Sequence, residues 1–164
     1  SKRSLIIVDG IAACAALRVA SLICAPVTDY AVFCRSHVHR GLDEALALFH
    51  ASALLELGMD SADGTGAALA WPMIRSAAAR TLLQLSGEAR WSTVLVELLE
   101  HPQLQVRRAA LMDLGAAGWR PALEPIARTL AENSLKLIAL RGLVEHGEGE
   151  PEIPALLACM DALL

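Results

Sequence analysis

The chain has 164 residues, 55% of them hydrophobic and 4% aromatic, with a formal net charge of −4. That length holds one ordinary domain or two small ones, the Ala- and Leu-rich composition favours closely packed helices, and the acidic balance gives no general reason to expect a nucleic-acid partner. Cys14, Cys24, Cys34 and Cys159 each lie in an apolar run and none forms a C-x-x-C pair, which argues for free thiols in a reducing compartment, the cytoplasm, and against a zinc site or disulfide framework. Leu5 to Val27 is apolar enough to raise the question of a membrane span. Asp9 and Arg18 fall inside it, at roughly 2.5–3.5 kcal/mol each for a spanning helix, and Gly10 interrupts it. It reads as strand, turn and helix, with no membrane role. With no initiator Met at its head, the chain reads as starting inside a larger protein or after processing.

Residues 4–8 (SLIIV) are a short apolar run rich in β-branched residues and closed by Asp9-Gly10, the pattern of a strand buried on both faces of a parallel sheet. Ile11 to Cys24 reads as an Ala-rich helix that Pro26 ends. Asp29 to Cys34 is a second strand, and Gly41 to Ala51 a second helix with Asp43 and Glu44 in its first turn. Strand, helix, strand, helix implies a βαβ unit with ligand-facing loops at the strand C-termini. Two strands are too few for a stable open sheet, so its completion is expected from another chain, a second copy or an upstream segment.

Ala62-Asp63-Gly64-Thr65-Gly66 then leads into a helix of small residues. Glycines on either side of Thr65 allow positive φ, and the unpaired amides that open a helix attract anions, phosphates above all. Asp63 stands at the mouth of this turn, where a proton acceptor could act on a bound substrate. The same residues also fit an ordinary helix start capped by Asp63 or Thr65. His37 and His39 are two apart at a strand end, but no acidic or Cys partner stands near them, so no metal is expected.

From Trp91 onward the strand pattern is gone. The segment 106–118 aligns with 135–147 at a shift of 29, with Val106/Leu135, Arg107/Lys136, Ala110/Ala139, Leu111/Leu140, Leu114/Leu143 and Gly118/Gly147 in register. Each segment follows another helix, at Ser92 to Glu100 and at Pro121 to Glu132, and paired helices at this period are a solenoid signature. Ile74 to Leu82 fits the same pattern, which makes the helix after the glycine turn the first of the array. Pro151 to Leu164 reads as the leading helix of a further repeat, with Leu156, Leu157, Met160, Leu163 and Leu164 lacking a neighbour. Arg75, Arg107, Arg108 and Lys136 are expected to make local ion pairs rather than a basic ridge. Trp71, Trp91 and Trp119 read as packing anchors.

The run DGTGAALAWPMIRSAAA resembles the GEGTGAALAxPLxxAAA segment of the nicotinate-nucleotide:dimethylbenzimidazole phosphoribosyltransferases. LIIVDGIAACAAL is similar to that family's LLLDGFIATAAAL, and DYAVFCRSHVH to its strand leading into SHxSAEPGH; the three stand in the right order across about the first 86 residues. The resemblance implies Asp63 as catalytic base, one methylene shorter than the family's glutamate. It implies Asp9 and Gly10 near the ribose, His39 in place of a serine, and Gly64, Thr65 and Gly66 shaping the phosphate turn. Nicotinate mononucleotide and a benzimidazole-type base would be the substrates, without cofactor or metal. The family's N-terminal half has no counterpart here, so the implied activity depends on a partner or a missing segment. The VRxAAxxxLG pattern of the second half resembles the HEAT-like repeats of phycobilisome lyases and many scaffolds. The expectation is therefore an α/β half-domain with a short parallel sheet (1–86) continuing into an α-α HEAT-like solenoid (87–164), mostly α overall. Its function is expected as an incomplete transferase of cobalamin lower-ligand synthesis, or as a non-catalytic HEAT-repeat scaffold derived from one, with a protein partner or homo-oligomer completing the sheet.

Overall fold

The computed structural model describes residues 4–35, 39–58 and 64–163, in two compact units, Ser1–Trp71 and Pro72–Leu164. The first unit opens with β1 (Ile6–Asp9), turns through Gly10 at φ 86°, and continues as α1 (Ile11–Ile23). Pro26 sets the φ of a 3-10 turn, Ala25–Tyr30, which takes Asp29 and Tyr30 out of the expected strand. β2 accordingly runs Ala31–Arg35, and α2 spans Arg40–Leu48.

The sheet has a third strand that the sequence reading did not contain: β3, Leu55–Glu56. Two residues are too short for a period-2 signal, yet they pair in parallel with β2 at Cys34 and Arg35. β1 pairs in parallel with β2 from Ile6↔Ala31 to Asp9↔Cys34, giving the order β1-β2-β3. Val8, Cys14, Leu17, Phe33, Leu42 and Leu46 form the core between this sheet and the helices. The Phe33 and Phe49 rings stack tilted, with centroids 5.1 Å apart.

α3 is one helix from Thr65 to Ser86. The second unit continues with α4 (Ala89–Leu98), α5 (Leu104–Ala117), α6 (Leu123–Arg128) after a 3-10 turn at Arg120–Ala122, α7 (Asn133–His146) and α8 (Ile153–Asp161). The repeat is visible in burial: Ala110 and Ala139, Leu111 and Leu140, Leu114 and Leu143 are all sealed from solvent. The overall class is as expected, a short parallel sheet with helices continuing into HEAT-like helix pairs.

Two details differ from the sequence pattern. In the part of α3 beyond Pro72 the buried residues are Ser76, Ala79 and Leu83, whereas Ala78 and Leu82 face solvent, one residue out of the expected register. α8 is also better covered than expected. Leu163 is buried, and Leu156, Cys159 and Met160 pack against the core, while Leu157 stays exposed; Leu164 lies outside the described residues. Asn133 at the start of α7 donates to the Leu163 carbonyl at 2.7 Å and ties down this end.

Candidate functional site

In the first unit, Asp9, Gly10, Gly64, Thr65 and Gly66 gather at the carboxyl end of β1. Asp9 is buried, and its Oδ2 accepts a hydrogen bond from the Ala67 amide at 3.3 Å, in the first turn of α3. A carboxylate there complements the positive end of the helix. Gly66 is what allows the approach: a Cβ at this position would stand 2.8 Å from both Asp9 oxygens. Gly64 precedes the helix at φ 87° and Thr65 is its first residue. His39 caps α2, its Nδ1 accepting from the Gly41 amide at 3.1 Å. The starts of α1 and α2 approach at Gly41, where a Cβ would touch Ile11 at 3.4 Å. Asp63, the residue singled out as base, lies outside the described residues, as does His37.

The thiols nearest this cluster are set against nucleophilic work. Burial first, and the Asp9 charge second, push the Cys34 thiol up to about 11 and raise Cys14 in the same sense. Both stay protonated at neutral pH and act as small apolar side chains. Among the described residues no group of His, Cys, Asp and Glu is arranged to hold a metal ion, and no helix is long and apolar enough to cross a membrane.

The second unit carries polar groups of a different kind. Ser76 Oγ donates to Asp113 Oδ2 at 2.6 Å, and Arg80 Nη1 stands 3.3 Å from Asp113 Oδ1. Burial raises the Asp113 carboxyl above its ordinary value, and the Ser76 bond and Arg80 charge only partly offset this. The sequence reading missed this trio. The available signal was Asp113 itself, an acid at the position where the next repeat has Gly142.

The basic side chains of the repeats expected to pair locally are engaged, but two of them through backbone carbonyls and the other two with glutamates outside their own helices. Arg107 donates to the carbonyls of His101, Pro102 and Leu130, and Lys136, its repeat equivalent, donates from a buried position to Ala127 at 3.1 Å. Arg108 pairs with Glu132, and Arg75 with Glu97 at 3.6 Å. Beside Arg107 a groove of about 630 Å³ opens, floored by Leu99, Pro102, Pro125 and Leu130. These side chains are held by hydrogen bonds and ion pairs within the unit. That arrangement suits binding better than bond-making.

Known proteins similar to this chain carry two kinds of description. The family model described as phosphoribosyltransferase matches residues 1–85. A bilin biosynthesis protein, RpcE of Synechococcus sp. (strain WH8020), is 52% identical over 93 residues, 57% of this chain and 34% of that protein. Phycocyanobilin lyase subunit alpha of Picosynechococcus sp. (strain ATCC 27264 / PCC 7002 / PR-6) is 56% identical over 97 residues, covering 56% of this chain and 36% of the relative. A solved complex of CpcE and CpcF of phycocyanin lyase from Nostoc sp. PCC7120 matches with a TM-score of 0.52 and 44% identity, over 56% of this chain and 35% of that one. The chain spans about a third of the length of these relatives.

These likenesses overturn the expected place in cobalamin lower-ligand synthesis, and with it nicotinate mononucleotide and a benzimidazole as substrates. The relatives at this identity carry names of bilin chemistry. The transferase motifs are genuine features of the first unit, but a fold segment does not bring its chemistry with it.

Proposed function

We propose, for a chain that belongs through residues 1–85 to the phosphoribosyltransferase family, that the working part is the helical unit, acting as the partner-binding portion of a phycocyanobilin lyase alpha subunit. The observation that carries this reading is the likeness to the CpcE–CpcF complex at 44% identity, far above the level at which only a fold is shared. The transferase-like half is then a non-catalytic scaffold joined to an interaction module. Lyase chemistry on a bilin belongs to the assembled pair rather than to this chain alone. The engaged arginines of this unit support a surface that binds over one that reacts. We place the protein in the cytoplasm, which its four free cysteines suit.

The test is direct association with CpcF from Nostoc sp. PCC7120. Size-exclusion chromatography with light scattering is expected to show a one-to-one complex. A well-folded chain that stays separate from CpcF at every concentration tried would remove the reading.

A further inference from the structure

We propose that the groove where α6, α7 and α8 meet docks a basic segment of another protein, one that joins an aliphatic side chain to a lysine or arginine. The charges of the helical unit point to this occupant. From Glu88 to Glu145 its acids, Glu100 excepted, each pair with an arginine. The next three acids, Glu148, Glu150 and Glu152, alternate along the loop into α8, are exposed, and make no ion pair among the described residues. No cation of the unit is left to answer them. Arg107 and Lys136 are bound to backbone carbonyls, and the paired arginines are spoken for. Arg120, which shares the groove, turns its Nη2 to the Gly147 carbonyl at 2.9 Å. Like charges set two residues apart repel, so a cation that settles among them comes from outside this unit and is stabilising.

Solvent ions screen exposed carboxylates anywhere on a surface; the groove is what selects a larger partner. Glu150 and Glu152 line a cleft of about 290 Å³ whose walls are otherwise apolar, built by Leu123, Leu143, Val144 and Leu156. Val144 is 37% exposed there. The volume sits just under the roughly 300–1,000 Å³ of small-molecule sites, which suits a side-chain anchor better than a whole ligand. Apolar walls beside unpaired carboxylates complement an amphipathic segment, with its aliphatic residue seated in the cleft and its cation against the glutamates. The same charge turns away nucleic acids and anionic membranes. The site does not depend on CpcF being the partner, so its failure and that of the lyase-subunit reading are separate results.

Fluorescence anisotropy on the full chain tests this with three labelled peptides of amphipathic-helix spacing: one of Leu and Lys, one with Ser for each Leu, and one with Glu for each Lys. The Leu/Lys peptide is expected to bind saturably, the Ser/Lys peptide much more weakly, and the Leu/Glu peptide not at all. Glu150→Gln combined with Glu152→Gln is expected to weaken the Leu/Lys peptide roughly tenfold, the loss of two ion pairs. Its circular dichroism should be unchanged, because both side chains face solvent. Ala155→Phe, which narrows the same cleft, is expected to weaken it as well, and Glu100→Gln, an unpaired acid outside this cleft, to leave it unaltered. No saturable binding of the Leu/Lys peptide, equal binding of the Ser/Lys peptide, or an affinity untouched by the paired glutamine variant would each overturn the proposal.

Discussion

Where α5 meets α7, Gly115 and Gly142 face each other backbone to backbone. A Cβ on Gly142 would lie 2.8 Å from the Gly115 carbonyl oxygen, and one on Gly115 would lie 2.9 Å from that of Ala139. Where α5 meets α3, no such approach exists, and side chains bridge the gap: Ser76 and Arg80 to Asp113, and Gln84 to the Ala116 carbonyl at 3.0 Å. One helix is thus held on its two sides by opposite means. The glycine seam gains close contact and dispersion at the cost of any tolerance for size. The polar seam tolerates distance, and it must satisfy each donor and acceptor that it buries. It does so incompletely, since Arg80 Nε is buried with no partner among the described residues.

The sharpest way to break the comparison is to add volume to the glycine seam. Gly115→Val puts two methyls where only backbone atoms stand, so nothing can rotate aside. It is expected to cost about 3 kcal/mol or more, read as a lower urea midpoint with unchanged slope. If Gly115→Val melts like the wild type, the close approach of α5 and α7 is wrong. Asp113→Ala attacks the other seam by chemistry rather than size. It leaves the buried Ser76 hydroxyl without its acceptor and Arg80 without its counter-charge, for an expected loss of about 2 kcal/mol, Arg80 being partly solvated. Asp113→Leu combined with Ser76→Ala removes both polar partners together, and most of that loss should return. A double variant no better than Asp113→Ala would mean that packing, not hydrogen bonding, holds α3 to α5.

The glycine seam was half legible in the sequence and the polar seam was not. The 29-residue shift matched Gly118 with Gly147 at the repeat ends, and helix existence and burial followed from the aliphatic spacing. Gly115 and Gly142 are 27 apart, so they meet across the interface without aligning in the repeat. Sequence self-comparison matches equivalent positions, not touching ones. Asp113 is equivalent to Gly142, and its partners Ser76 and Arg80 lie on a helix whose buried face is one residue out of the expected register. β3 was invisible because a two-residue strand has no periodicity. In the first unit, the glycine turn and Asp9 could be read as motif residues, but that Asp9 reaches the Ala67 amide spans 58 positions and needs the fold.

Gly66 carries the comparison into that first unit as an intermediate case. A methyl there meets a side-chain carboxylate at 2.8 Å instead of backbone, so Asp9 can turn away and give up its bond to Ala67. Gly66→Ala is therefore expected to cost about 1–2 kcal/mol, below the glycine-seam value. Hydrogen exchange at the β1 and β2 amides would register it as locally faster opening. Unaltered exchange there would show that the Asp9 contact contributes nothing to this unit.

The smallest expected effect separates the two seams by proton linkage. Asp113 has its carboxyl raised above 3.8 in the folded chain, burial outweighing Ser76 and Arg80. A folded value above the unfolded one means that the native state binds the extra proton, so this group's contribution to stability improves as pH falls from neutral through the raised value, and is complete once pH drops below the unfolded value. The gain comes from releasing a buried charge, while the neutral acid can still hydrogen-bond to Ser76. Asp113→Asn has no such proton to take up. Urea midpoints measured at neutral pH and at mildly acid pH should therefore differ between wild type and Asp113→Asn in that direction, whereas Gly115→Val should shift in parallel with the wild type. A wild-type curve that loses stability relative to Asp113→Asn on mild acidification would mean that the Ser76 and Arg80 interactions outweigh burial, and that the polar seam is held by charge after all.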